Sequence, residues 1–133
     1  MAPREDGETV PTVEADGLLV DRAEHGSVVV YRVAGEIDAL TAPVFDQALA
    51  DAADVPDAVS HVVLDLSDVP FLSSAGLSIL VDHHGRCAAN GVGLSVVAKQ
   101  HAVLRSIQIT ALDRIIPLHP TVSDALTAAG RPG

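Results

Sequence analysis

The sequence predicts an α/β fold: a mixed, mostly parallel central β-sheet with about four α-helices. Apolar, β-branched runs alternate along the chain with segments whose apolar residues recur every three or four positions. Near the start, two β-runs are joined by the short turn Glu24-His25-Gly26, which indicates a hairpin. Strands that alternate with helices after a hairpin become parallel neighbours through right-handed crossovers, with helices on one or both faces.

The predicted elements follow from these patterns in chain order. Residues 1–14 carry charge, Pro and Gly without periodicity, so a flexible N-terminal tail is expected before a single domain at 15–130. The predicted strands are 18–23, 27–34, 61–66, 94–98 and 115–118. The predicted helices are 42–53, about 74–89, 102–110 and 122–129.

Capping residues mark the predicted helix boundaries. Thr41 is expected to cap the first helix, and Thr121 or Ser123 the last. Asn90 and Gly91 end the second helix in the manner of a C-cap. These signals agree with the apolar spacing of the three helices that they flank.

Composition restricts the function. A chain of 133 residues with 48% hydrophobic content fits one domain with one core. The formal charge of -10 argues against nucleic acid and anionic membrane surfaces as partners, and favours proteins. Without a signal peptide or a segment long enough to span a membrane, a cytoplasmic protein is expected. The single Cys87 is expected to be a small buried side chain.

Residues 71–77, Phe-Leu-Ser-Ser-Ala-Gly-Leu, carry the strongest functional signal. They follow the apolar run 61–66 directly and open an apolar helical pattern, which places the two serines at a strand-to-helix turn. Such a turn presents free backbone N–H groups and the positive end of a helix dipole, where a phosphate is well tolerated.

A second motif completes a family resemblance. Gly35-Glu36-Ile37-Asp38 ends an apolar strand, and residues 64–69, Leu-Asp-Leu-Ser-Asp-Val, stand between it and the serine turn. In this order and spacing the motifs resemble those of the STAS family, the domain of bacterial anti-sigma factor antagonists. The resemblance covers about residues 15–130 and implies the central sheet and adjoining helices of that family.

One position departs from the family pattern. Antagonists controlled by phosphorylation typically read Asp-Ser-Ser-Gly-Leu or Asp-Ser-Thr-Gly-Leu, with the acceptor hydroxyl directly before the glycine. Aligned on Gly76, this chain has Ser73 in place of the aspartate and Ser74 in place of the first serine. Ala75 then stands at the acceptor position and has no oxygen to phosphorylate. The resemblance therefore implies the binding surface with an altered or absent phosphoserine switch, for which Ser74 and Ser73 are the candidate acceptors.

The implied function is non-enzymatic. A family member of this type binds an anti-sigma factor of the kinase-like, ATP-binding class and releases the sigma factor. The residues that the resemblance places on the partner side are Glu36, Asp38, Leu72, Ser73, Ser74, Ala75, Gly76 and Leu77. Leu72 is expected to be exposed there, and Asp38 to serve association rather than stability. No cofactor is assigned, and a homodimer is left open.

Two other functions stay open. A STAS domain can be a structural subunit of a larger assembly, such as a stress-sensing complex or a lipid-transport ATPase, where Ala75 needs no hydroxyl. A small esterase using Ser74 is the third reading, but Leu72 occupies the first glycine position of the Gly-x-Ser-x-Gly pattern.

Metal binding is not predicted. His83 and His84 are adjacent in a helix, so their side chains point about 100° apart, and both are expected to face solvent. Four acidic residues could gather if the strand ends lie side by side, and they are expected to be solvated acids of a docking face: Glu36, Asp38, Asp65 and Asp68.

Overall fold

The computed structural model describes residues 10–53 and 59–130. In these residues, six strands form one sheet in which neighbours in space are neighbours in sequence. The strands are β1 (Val10–Ala15), β2 (Leu18–His25), β3 (Val28–Ala34), β4 (His61–Asp68), β5 (Gly93–Val97) and β6 (Leu118–His119). The pairs β1–β2 and β2–β3 are antiparallel, whereas β3–β4, β4–β5 and β5–β6 are parallel. The predicted mixed, mostly parallel sheet is confirmed.

Within the same residues, four α-helices accompany the sheet, as predicted. They are α1 (Ala42–Ala53), α2 (Ser74–Ala89), α3 (His101–Ile109) and α4 (Val122–Ala128), and a 3-10 turn spans Leu112–Arg114. Thr121 caps α4, because its side chain accepts a hydrogen bond from the N–H of Asp124 at 3.0 Å. Gly91 follows the end of α2 with a φ of +73°, a conformation that glycine adopts without strain.

The sheet is covered on both faces. Successive residues of β3 point to opposite sides: Val29, Tyr31 and Val33 join a large core with α1, α2 and α3. Val28 and Val30 join a smaller core beneath α4. Burial on both faces explains why the central strands are continuous apolar runs rather than alternating ones.

The N-terminal tail prediction was wrong for residues 10–14. These residues lie in β1, which pairs with β2 from Val10 opposite Arg22 to Ala15 opposite Leu18. A tight turn at Asp16 and Gly17, both at positive φ, makes this pairing possible. Asp-Gly is a strong hairpin signal that the charged and proline-rich context concealed. Residues 1–9 of the predicted tail lie outside the described residues.

The strand predicted at 115–118 was also wrong in its bounds. Only Leu118 and His119 pair with β5, at Val96 and Val97. The chain before these two residues turns through the 3-10 helix Leu112–Arg114. Ala111, directly before that helix, has a left-handed φ of +60°. The chain therefore reaches the sheet three residues later than its apolar pattern suggests. In the part of the chain that the structure describes, no helix has the length and apolar character needed to cross a membrane.

Candidate functional site

The two motif loops meet at the edge of the sheet where β3 and β4 end. Because these strands are parallel neighbours, the segments that leave them emerge side by side. The N–H of Ile37 donates to the carbonyl of Phe71 at 2.9 Å, and the N–H of Ser73 donates to the carbonyl of Ile37 at 2.8 Å. This bridge joins segments 36–41 and 71–77 into one surface, which we call the paired-loop surface.

The serines of the turn have different roles. Ser73 is the N-cap of α2: its backbone is extended, and its Oγ accepts a hydrogen bond from the N–H of Gly76 at 3.3 Å. The predicted cap at the serine turn is thus confirmed. Ser74 is exposed in the first turn of the helix, and Ala75 is half-buried beside it. Of the two candidate acceptors, Ser74 is the more accessible.

Gly76 and Leu72 support the surface from below. Leu72 is only 2% exposed, and Gly76 is buried as well. A Cβ on Gly76 would lie 2.5 Å from Leu72 Cδ1 and 2.8 Å from Ile37 Cγ2, so the close approach of α2 requires a glycine. The expectation that Leu72 is exposed was wrong, because its side chain fills the space beneath the start of α2.

Asp38 is a helix cap. Its Oδ1 accepts hydrogen bonds from the N–H groups of Leu40 and Thr41, each at 3.0 Å. Thr41 reciprocates, since its Oγ1 accepts from the N–H of Asp38 at 2.9 Å and donates to the carbonyl of Glu36 at 2.7 Å. This is the geometry of a capping box. The N–H of Thr41 above all, with the Thr41 hydroxyl and the N–H of Leu40, lowers the pKa of Asp38 against a smaller opposing effect of burial.

Two predictions about this turn change accordingly. Thr41 was expected to cap α1, but helical hydrogen bonding already begins at Asp38, whose carbonyl accepts from the N–H of Ala42 at 2.8 Å. Asp38 was expected to serve association rather than stability, yet its carboxylate holds the turn into α1 together. Its place on the paired-loop surface is compatible with both roles.

Two exposed apolar side chains on this surface were missed by sequence reasoning. Leu40 is 67% exposed and Phe71 is 45% exposed. Neighbouring residues of an extended segment point to opposite sides, so one of Phe71 and Leu72 had to face outward. The pattern could not tell which, because both side chains are apolar.

Two of the four acidic residues at the strand ends have partners of their own. Asp65 Oδ1 accepts hydrogen bonds from the N–H and the hydroxyl of Ser67, at 3.0 and 2.6 Å. Asp68 pairs with Arg32 at 3.3 Å. With Asp38 engaged in its cap, Glu36 is the exposed acidic side chain that the paired-loop surface presents.

His83 was expected to face solvent and is instead fully buried. It belongs to the stripe of α2 that faces the core, and the other buried residues of that stripe are Gly76, Leu80 and Cys87. Their spacing of four, three and four residues was a signal for burial. Cys87 is buried as predicted, and burial raises the pKa of its thiol.

His83 Nε2 lies 2.8 Å from Asp46 Oδ1, and a carboxylate oxygen of Asp82 completes a group of three ligand atoms within 4.8 Å of one another. Metal ligation through Nε2 would put the ring proton on Nδ1, which is buried without a hydrogen-bond partner. Metal-bound histidines normally donate that proton to a second group. The arrangement therefore suits a hydrogen bond from Nε2–H to Asp46 better than a metal ion.

Sequence comparison finds relatives that are named anti-sigma-F factor antagonists. The anti-sigma-F factor antagonist RsfB of Mycobacterium tuberculosis is 38% identical over 112 residues, which cover 84% of this chain and 89% of that protein. The anti-sigma-F factor antagonist RsfA of the same species is 28% identical over 128 residues, covering 96% of this chain and 99% of that protein.

Solved structures share the fold. The crystal structure of an anti-sigma factor antagonist from Mycobacterium paratuberculosis superposes with a TM-score of 0.75 at 37% identity, covering 89% of this chain and 99% of that one. The unphosphorylated anti-sigma factor antagonist SpoIIAA has the same fold, with a TM-score of 0.69 at 15% identity over 86% of this chain and 99% of that one. Since the family model for the STAS domain matches residues 20–125, the chain belongs to the STAS domain family.

Proposed function

We propose that this protein is an anti-sigma factor antagonist, which binds an anti-sigma factor through the paired-loop surface and thereby releases the sigma factor. The observation that carries the proposal is the bridge between Ile37 and Leu72, which unites the two motifs of the family resemblance in one surface. Two relatives, both named anti-sigma-F factor antagonists, support the same role.

The proposal extends to the class of partner. The family resemblance favours a kinase-like, ATP-binding anti-sigma factor, and the exchange would take place in the cytoplasm, where sigma factors act. The chain's net charge of -10 favours a partner with a basic contact face, because opposite charges steer association and select among partners.

Some residues of the paired-loop surface can contact a partner, and others hold the surface in place. Glu36 and Ser74 are exposed and can touch a partner directly, as can the half-buried Ala75. Half-buried Asp38, Ser73 and Leu77 border them. The buried Leu72 and Gly76 act from beneath, by fixing the start of α2 against the bridge.

The phosphoserine switch of the family is proposed to be altered or absent in this chain. Phosphate on the acceptor position would add nearly two negative charges to a packed contact that already contains Asp38 and Glu36, which would weaken binding by repulsion and desolvation. Ala75 removes the oxygen at that position, while the exposed Ser74 lies one residue earlier. The protein is thereby proposed to stay in its binding-competent state.

A charge placed at Ala75 tests the docking role. The Ala75→Glu variant should bind at least about 100-fold more weakly, because an unmatched carboxylate would be buried in the contact. Its folding should be spared, since a negative side chain in the first turn suits the helix dipole. The measurement is calorimetric titration against each purified anti-sigma factor encoded in the same genome, with Ala75→Gln as the control of similar size. Affinity within threefold of the native protein would contradict the proposal.

A permanent structural subunit is the second candidate, and the absence of a hydroxyl at Ala75 favours it. Such a subunit would form a complex that persists through dilution and gel filtration. Isolation of a stable stress-sensing complex or lipid-transport ATPase, with no binding to any anti-sigma factor, would support this role over the first.

A further inference from the structure

We infer that Leu40 and Phe71 are the apolar anchors of the docking surface, and that the anti-sigma factor receives them in an apolar pocket edged by basic side chains. The inference rests on the proposed function, because that function places the partner on the paired-loop surface. It concerns two residues that the family motifs did not assign.

The distribution of exposed apolar side chains supports this assignment. The large apolar side chains that stand exposed in the described residues are Leu40, Phe71, Val81, Ile109 and Ile115. Single exposed side chains of this kind are ordinary on protein surfaces. Two of these five, however, lie in the two short segments that the bridge at Ile37 joins. Their shared location places both side chains on the proposed docking surface.

The backbone under both side chains is fixed before any partner binds. The carbonyl of Phe71 accepts from the N–H of Ile37, and the N–H of Leu40 donates to the cap carboxylate of Asp38. Anchors on an ordered backbone lose less conformational freedom on association, so more of their contact energy contributes to affinity. The fully buried core of an interface is more apolar than the rest of the surface, and aromatic side chains such as that of Phe71 are enriched there.

The core beneath the anchors is already filled. Leu72 and Ile37 are packed so closely against Gly76 that a single added carbon there would be too near both. The Phe71 ring therefore cannot be accommodated beneath the start of α2 unless those side chains move. Shielding of the exposed ring and of Leu40 from water has to come from another molecule.

The charge around the anchors indicates the chemistry of the partner. Glu36 is exposed on the same surface, and Asp38, whose pKa the cap lowers from an already acidic value, carries a negative charge at neutral pH. An apolar centre with an acidic rim complements an apolar pocket with a basic rim. Apolar anchors mainly set the rate of dissociation, whereas rim charges mainly set the rate of association.

The test is binding kinetics with the purified anti-sigma factor that binds the native chain. Leu40→Ser and Phe71→Ser should each weaken binding about 30-fold or more, through faster dissociation that is insensitive to salt. Glu36→Gln should instead slow association at low salt. Ile115→Ser is the matched control, because Ile115 is 53% exposed but precedes β6 and lies away from the edge where β3 and β4 end.

The outcomes separate the inference from the proposed function. Loss of binding with Ala75→Glu, together with unchanged binding of Leu40→Ser and Phe71→Ser, would overturn the anchor assignment alone. An equal loss with Ile115→Ser would also overturn it, because removal of any exposed apolar side chain would then weaken binding. If no anti-sigma factor binds the native chain, or if Ala75→Glu also binds normally, the proposed function and the inference both fail.

Discussion

His83 Nε2 and Asp46 Oδ1, 2.8 Å apart, join the middle of α2 to α1 through a histidine whose side chain is 1% exposed. Because His83 Nδ1 has no partner, this hydrogen bond is what satisfies the buried ring. Asp46→Ala should therefore lower the free energy of unfolding by about 1–3 kcal/mol, the cost of leaving a buried polar group unsatisfied. Urea denaturation measures the difference.

The control for that variant is Asp82→Ala on α2, which removes a carboxylate close to His83 whose ion pair is with Arg86. Asp82 pairs with Arg86 at 3.8 Å on the surface, and such exposed pairs contribute about 0–1 kcal/mol. Equal destabilisation by the two variants would show that the hydrogen bond to His83 has no special role.

Gly76→Ala should destabilise the protein. An alanine in a helix is favoured over glycine by about 1 kcal/mol, but the added carbon would overlap Leu72 Cδ1 and Ile37 Cγ2. Overpacking costs about 1–3 kcal/mol and should outweigh the gain. Gly85→Ala in the same helix is the matched control, since a Cβ there meets nothing within 4 Å and should stabilise. Thermal unfolding of both variants is the measurement. A melting temperature of Gly76→Ala above that of the native protein would contradict the packing role.

Asp38 should contribute to stability in a pH-dependent way. Its folded pKa is lowered, so the stabilisation is present above the unfolded pKa of about 3.9 and is lost as the pH falls through the folded value. Asp38→Ala should lower the melting temperature by roughly 2–5 °C at pH 7. Asp38→Asn keeps an oxygen for the cap, so its melting temperature at pH 7 should fall less than that of Asp38→Ala. Because the asparagine does not titrate, the stability of Asp38→Asn should change less below pH 4 than that of the native protein. A native-like acid profile for Asp38→Asn would contradict the assignment.

His61 should make the fold less stable in mild acid. Burial, and secondarily the positive charge of nearby His119, lowers the pKa of His61, whose Nε2 lies 3.0 Å from Ser95 Oγ. The unfolded chain then binds a proton near pH 6.5 that the folded state resists, so stability falls as the pH decreases from about 6.5 towards the folded pKa. His61→Gln should reduce the stability difference between pH 7.5 and 5.5 in urea unfolding.

The exposed His101 provides the control for this pH effect. An equal change in the pH dependence with His101→Gln would show that the effect is not specific to His61. A slope that His61→Gln does not alter would show that other groups cause the acid sensitivity.

The sequence predicted the elements better than the direction of individual side chains. Helix α1 was predicted at its observed bounds because the apolar spacing and the core agree there. The orientation of Phe71 and Leu72 could not be predicted, since it depends on how α2 lies over Ile37. For His83, the residue type favoured exposure. Its position in the stripe with Leu80 and Cys87 required burial, and the packing of α1 on α2 places the side chain in the core.

Phosphorylation is the sharpest question about the paired-loop surface. A kinase places its acceptor oxygen in line with the γ-phosphate, and one residue along the start of a helix swings a side chain through about 100°. Ala75 occupies the acceptor register, Ser73 Oγ is engaged with the N–H of Gly76, and the exposed Ser74 points elsewhere by that rotation. Transfer of phosphate to the native chain should therefore be slow or absent.

Intact mass after incubation with ATP and the anti-sigma factor kinase that binds the chain tests this expectation. Ala75→Ser should gain one phosphate, whereas the native protein and Ser74→Ala should both stay unmodified. Gain by Ala75→Ser alone would show that the register of the turn decides phosphorylation and that this chain has lost its switch. Rapid, stoichiometric phosphorylation of the native protein that Ser74→Ala abolishes would contradict the prediction, because the kinase would then accept a hydroxyl one residue earlier and Ser74 would be the working acceptor.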